Sequence, residues 1–325
     1  MPPKEKKVDI LTRYSQDMLE FRRQILASAS ITEKQKINSG GFSEIFELPK
    51  NEILRIGLIG PFSFAKFREA VTTLRNIWSR TNKSGVAPQV TFVGSLYKDQ
   101  NDVKESLIVT KMSRVMNVVP FLKVANLFRS DVELAKAVFS AAVQLEAVGV
   151  VHADPNQGNV LVRENKDIVF VDLDEMCIFN GQHEELFFCI RPVGSTQGFR
   201  APEYDTPKKK PSPNYVNSPM GRKQSMYAGL MSFVATAITS TPGESLKSAA
   251  DASGLLTTPG LKEIAKWIVG PIDKRPTSAK EIADALNKLS PSSAGKPPRK
   301  NSTIGVSPSS SSSSSSSFSS SSSSS

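Results

Sequence analysis

The stretch from Gly149 to Glu175, GVVHADPNQGNVLVRENKDIVFVDLDE, restricts what this chain can fold into more than any other. A turn-rich segment, HADPNQGN, carries Asp154 and Asn159 between Gly149 and Gly158. Two apolar runs follow, Val160 to Val162 and Ile168 to Val171, joined by the polar turn Arg163 to Asp167. Short β-branched runs around a polar turn predict a hairpin. The second run delivers Asp172 into a loop. A hairpin sets its flanking loops side by side, so the oxygens of Asp154, Asn159 and Asp172 are expected to converge. One or two hard oxygen ligands from protein, completed by phosphate and water, suit Mg2+ with a polyphosphate.

These residues resemble the protein kinase superfamily. Its catalytic loop H-R-D-x-x-x-x-N and metal loop D-F-G correspond to His152-Ala153-Asp154, Asn159 and Asp172-Leu173-Asp174. Small-molecule phosphotransferases of the aminoglycoside and choline kinase type carry a similar H-x-D-x-x-x-x-N and a D-x-D.

Further motifs follow in family order. INSGGFSEIFEL sets Gly40 and Gly41 in a turn between strand-like runs. Glycine lets backbone N–H groups come close to phosphate oxygens. Against G-x-G-x-x-G, Asn38 and Ser43 hold the outer glycine positions and Gly40 the middle one. The strand Glu52-Ile53-Leu54-Arg55-Ile56 puts Arg55 where V-A-I-K has its lysine. A planar fork for a point charge is not a conservative change. A helix over Phe64 to Trp78 offers Glu69 as the ion-pair partner for Arg55. Strands run through Gln89 to Gly94 and Leu107 to Lys111. By resemblance Thr110 backs an adenine pocket, and the backbones of Lys111 and Met112 hydrogen-bond adenine.

Downstream, Thr196-Gln197-Gly198-Phe199-Arg200-Ala201-Pro202-Glu203 resembles the segment ending A-P-E that closes a protein kinase activation segment. Small-molecule kinases generally lack it. Asp273-Lys274-Arg275-Pro276-Thr277 resembles the late R-P motif, and Glu203 with Arg275 is the implied buried ion pair. His152, Thr196, Glu203 and Arg275 are read as structural. Ser225 stands where an Asp usually caps the catalytic loop, and Asn156 where Ser/Thr kinases usually place a lysine. Helices are expected over Val132 to Val148, over Met226 to Ile238, which is apolar all round, and over Thr277 to Leu289.

The resemblance implies an α+β, bilobal protein kinase-like fold over residues 31–290, with a β-rich N-lobe at 31–111 and a helical C-lobe at 112–290. Residues 1–30 are a separate extension. There Leu11, Tyr14, Met18, Phe21 and Ile25 recur at helical spacing, predicting an amphipathic helix on the outside of the domain. Residues 291–325 end in a serine tract that cannot bury enough apolar surface to order itself. The implied activity is transfer of the γ-phosphate of Mg-ATP to Ser/Thr hydroxyls of proteins. Asp154 would act on the hydroxyl, Asn159 and Asp172 would hold Mg2+, and Arg55 with Glu69 would position phosphate. The alternatives are a pseudokinase, an ATP-binding scaffold with little transfer, and a small-molecule phosphotransferase.

Composition adds exclusions. A net charge of +10 is spread along the chain, so no specific nucleic-acid site is expected. No apolar run approaches ~18 residues, so no membrane span is expected. The N-terminus lacks the apolar stretch of a secretory signal. Two cysteines argue against a disulfide scaffold and suit a reducing compartment, cytoplasmic or nuclear.

Overall fold

Alternating apolar residues between Lys36 and Ser113 build one antiparallel sheet. Its strands are β1 (Lys36–Ser39), β2 (Ser43–Leu48), β3 (Glu52–Ile59), β4 (Val90–Asp99) and β5 (Asp102–Ser113), in the order β1-β2-β3-β5-β4. The computed structural model describes residues 11, 14–39, 43–59, 64–99, 102–179, 188–189, 196–204, 215, 218–241, 246 and 248–289. Gly40 and Gly41 lie outside the described residues, as does the serine tail. The described residues all fall within one compact unit, Met1–Ser292.

Strand side chains alternate faces, and the consequence is visible in β5. Leu107 and Val109 join an outer cluster with Phe46, Leu54 and Ile56. Ile108 joins the main core with Leu74, Ile77 and Trp78. The outer cluster is covered by α1 (Gln16–Ser28), which contributes Met18, Ile25 and Leu26, with Tyr14 just before it. The expected amphipathic helix therefore exists and closes the sheet's outer face. It starts on Ser15, whose hydroxyl accepts from Met18 N at 3.3 Å. Its stripe includes Arg22, which forks onto fully buried Glu44 of β2 at 2.5 and 2.9 Å.

On the other face runs α2 (Phe64–Ser84), longer than the expected Phe64 to Trp78. It meets its breaker only at Gly85, which has a φ of +73°. The C-lobe helices follow: α3 (Asp131–Ala147), α4 (Pro219–Thr239), α5 (Ala249–Gly254), α6 (Pro259–Val269) and α7 (Ala279–Asn287). α3 is capped by Ser130, whose hydroxyl accepts from Glu133 N at 3.1 Å. Asp131 and Glu133 in its first turn suit the positive end of the helix dipole. α4 is buried almost throughout, from Pro219 to Ala237, as an all-round apolar sequence requires.

The loops of the opening stretch rest on this helical bed. β6 (Val150–His152) pairs with β9 (Met176–Ile178), and β9 with β10 (Phe188–Cys189). β7 (Val160–Val162) and β8 (Ile168–Phe170) form the predicted hairpin, with Val160 opposite Phe170 and Val162 opposite Ile168. Cys177 is disulfide-bonded, and its partner in backbone register is Cys189. Among the described residues no helix is long and apolar enough to cross a membrane.

Candidate functional site

His152 ends β6 in a fully buried position and fixes the loop that follows. Its Nε2 lies 2.7 Å from the Val171 carbonyl, and Nδ1 accepts from Asp154 N at 3.1 Å. One nitrogen faces an acceptor and the other a donor, so the ring is the neutral Nε2–H tautomer. Burial lowers its pKa below 6.5, against the raising pull of the Val171 carbonyl. The ring thereby ties the HADPNQGN loop to the strand leading into Asp172.

Asp154 is 8% exposed, and the protein engages both of its oxygens. Oδ1 accepts from Thr196 N at 2.7 Å. Oδ2 accepts from Thr196 Oγ1 at 2.9 Å and Asn156 Nδ2 at 2.8 Å. Asn156 Nδ2 also donates to Thr196 Oγ1 at 2.8 Å. Asn156, at the position of the usual lysine, thus stands against both Asp154 and the Thr196 hydroxyl. Asn159 Nδ2 donates to the Asp154 carbonyl at 2.9 Å, and Val171 N donates to the Asn159 carbonyl at 2.9 Å. Hydrogen bonds thus link Asp154 with Thr196 and Asn159, and Asn159 with Val171, the residue before Asp172.

Asp172 leaves β8 in the left-handed region, φ 61° and ψ 62°, and opens the tight turn Leu173–Glu175. Its Oδ1 accepts from Arg55 Nη2 at 2.7 Å. Arg55 Nη1 donates to Asp174 Oδ2. One guanidinium from β3 of the N-lobe therefore bridges both carboxylates of the D-L-D motif. Burial opposes its charge, yet Asp174 and then Asp172 outweigh this, and its pKa is raised above the ordinary value.

This departs from the sequence expectation that Arg55 pairs with Glu69. Glu69 is exposed on α2, while both bonded partners of Arg55 among the described residues are aspartates. The planar guanidinium fork presents separate nitrogens, and one goes to each carboxylate of the turn. Asp174 was legible as a motif member, but nothing in its spacing marked it as a partner of Arg55.

Thr110 stands directly opposite Arg55 in the β3–β5 ladder, and its buried Oγ1 has no hydrogen-bond partner among the described residues. Lys111 and Met112 lie within β5, paired to β3 on one side and to β4 on the other. Ser113 N and Arg114 N donate to the Gln89 and Asn51 carbonyls, each at 2.8 Å. Strand pairing thus continues through Lys111 and Met112, whose backbones are expected to face adenine, as far as Ser113. Glu203 and Arg275 form the expected pair at 2.7 and 2.8 Å, and Arg275 Nε donates to the Gly270 carbonyl at 2.7 Å. Ser225 Oγ is buried without a partner among the described residues, whereas His152 N meets Met226 Sδ at 3.3 Å. The cap that an Asp supplies in the family is replaced by a thioether one residue on.

The same arrangement tests Mg2+, which takes oxygen ligands at about 2.0–2.1 Å. Asp172 and Asp174 already hold a guanidinium at hydrogen-bonding distance. Like unit charges about 4 Å apart repel by about 4 kcal/mol at an effective dielectric of about 20, and a dication doubles this. With Arg55 in place, the donor set does not fit Mg2+.

No curated protein matches the chain. Residues 104–188 match the family model of the ABC1 atypical kinase-like domain. The matched stretch runs from β5 through the HADPNQGN loop and the Asp172–Asp174 turn to β10. Together with the bilobal fold, this match supports assignment of the chain to the protein kinase-like superfamily.

Proposed function

We propose that the chain is a pseudokinase-type module, a kinase-like scaffold for ATP and protein partners that transfers the γ-phosphate poorly. The observation that carries this reading is the Arg55 bridge to Asp172 and Asp174. Phosphotransfer in this fold relies on acids that gather positive charge at the phosphates, and here a side chain of the protein engages both. Asp154 is engaged in the same way by Thr196 and Asn156. Glu69, exposed on α2, offers Arg55 no competing carboxylate.

A second reading is an active protein kinase acting on Ser/Thr hydroxyls, and one observation favours it. The Thr196 hydroxyl sits 2.9 Å from Asp154 Oδ2, within the reach a general base needs for a hydroxyl proton. In that reading an acceptor hydroxyl takes the place of Thr196, and Asp154 orients it and receives its proton.

Transfer from ATP to generic proteins, measured with and without Mg2+ for the parent and Asp154→Ala, separates the two. The pseudokinase reading expects parent and variant to be indistinguishable. A parent rate about a hundredfold above the variant, the usual contribution of a positioned base, would overturn it. Phosphate on small alcohols alone would point to a small-molecule phosphotransferase.

A further inference from the structure

We propose that Arg55 is a built-in counter-cation occupying a latent divalent-cation site formed by Asp172 and Asp174, so that guanidinium and divalent cation exclude one another. This rests on the pseudokinase reading and says what keeps the site closed.

The first argument is the form of the bridge. Arg55 gives one nitrogen to each carboxylate, Nη2 to Asp172 and Nη1 to Asp174, rather than both to one. It links two acids as a metal ion between them would. The paired trio still sums to −1, from one guanidinium and two carboxylates. Without the guanidinium two like charges would face each other, an arrangement that a divalent cation relieves.

The second argument is that backbone, not Arg55, positions the acids. Asp172 is held in the left-handed region and its carbonyl accepts from Glu175 N at 3.0 Å. Between the two acids, Leu173 is buried at 3% exposure and anchors the turn. The pair is thus pre-arranged even with the guanidinium gone. The third argument is access. The Asp172 side chain is 30% exposed, so a cation has a route in. Hard divalent cations that prefer carboxylate oxygen, Mg2+ and Mn2+, are the fitting class.

The test is Mn2+ binding to the full chain without nucleotide, followed by the paramagnetic signal of free Mn2+. Arg55→Gln is expected to bind one Mn2+ at least about tenfold more tightly than the parent, since removing the guanidinium removes a like-charge repulsion larger than the factor of ten requires. Asp172→Asn in the Arg55→Gln background is expected to remove that gain. Mn2+ should raise the melting temperature of Arg55→Gln and leave the parent's unchanged. Equal affinity in parent and Arg55→Gln, or a gain that survives Asp172→Asn, would overturn the proposal. Should Arg55→Gln not fold, Arg55→Met keeps the apolar stem and removes the charge; it is expected to gain affinity too, and no gain would equally overturn the proposal. Turnover is not used as a readout. A parent that transfers phosphate through Asp154 sinks the pseudokinase reading, whereas unaltered Mn2+ affinity sinks the latent site alone.

Discussion

The imidazole of His152 is held neutral by burial, and this has a sign in pH. Its folded pKa lies below the 6.5 of a free histidine. The unfolded chain therefore binds a proton that the folded one does not, once pH falls below about 6.5. The contribution is fully present above that pH and is lost as pH falls from there toward the folded pKa. The slope is at most about 1.4 kcal/mol per pH unit. His152→Gln, which does not titrate, should be less stable than the parent at pH 7, with a gap that narrows toward pH 5. Urea denaturation at both pH values checks this, and a widening gap would mean that the ring is charged in the fold. At the residue scale, the sequence was informative where a side chain acts on neighbours in its own loop. His152, Asp154 and Asn159 are five to seven residues apart or closer, and local turns bring them together. It was uninformative about Arg55, whose partners lie 117 and 119 residues away. A cation on a strand announces a carboxylate partner, but whether that is Glu69 or the D-L-D pair depends on how α2 sits.

At the scale of elements, periodicity located the strands and helices and missed their ends. The hairpin β7–β8 matched the expected strands to within one residue, because short β-branched runs around a polar turn leave little choice. Helix α2 overran its expected end by a turn and a half, since Ser79 to Ser84 holds neither Gly nor Pro. β5 ran past its expected end at Lys111 to Ser113 because β4 and β3 flank it on both sides. Helix α4 yields a prediction against the usual trend. Replacing a helix-interior glycine by alanine normally stabilises by roughly 1 kcal/mol. At Gly229 the added Cβ would lie 2.7 Å from Pro155 Cγ and 2.8 Å from the Phe199 carbonyl. One neighbour is a rigid ring in the HADPNQGN loop and the other is backbone. Overpacking of this kind costs about 1–3 kcal/mol, so Gly229→Ala should destabilise. It should also loosen the Asp154–Thr196 contact, since Pro155 follows Asp154 and Phe199 lies three residues beyond Thr196. Chemical denaturation gives the first effect, and amide exchange at Thr196, whose N–H bonds Asp154, gives the second.

At the scale of the whole molecule, the lobes are joined by more than their connector. Arg55 ties β3 to the Asp172–Asp174 turn, and Arg80 ties α2 to the start of the HADPNQGN region. Arg80 Nη1 donates to the Phe179 carbonyl at 2.8 Å and reaches the carbonyls of Gly149 at 3.3 Å and Val148 at 3.5 Å. Gly149 has a φ of +71°, and a Cβ there would meet Arg80 Nη1 at 2.5 Å and the Phe179 carbonyl at 2.6 Å, so the backbone is shaped to admit the guanidinium. Hydrogen bonds to a charged group contribute about 1.5–3 kcal/mol, and the Phe179 bond has the shortest reach of the three. Arg80→Met keeps the apolar stem and removes the donors, so a loss of about 2 kcal/mol is expected by urea denaturation. The loss should be local in hydrogen exchange. Protection should fall at Gly149 and Phe179, whose amides bond the Glu146 and Gly149 carbonyls, and stay unchanged across the β2–β3 ladder. An unchanged exchange pattern would mean that α2 is held by its apolar face alone, through Leu74, Ile77 and Trp78. In that case the lobes would depend on Arg55 as their one charged tie among the described residues named here, and Arg55→Gln should raise exchange across β3 while the Glu175 amide, bonded to the Asp172 carbonyl, stays protected.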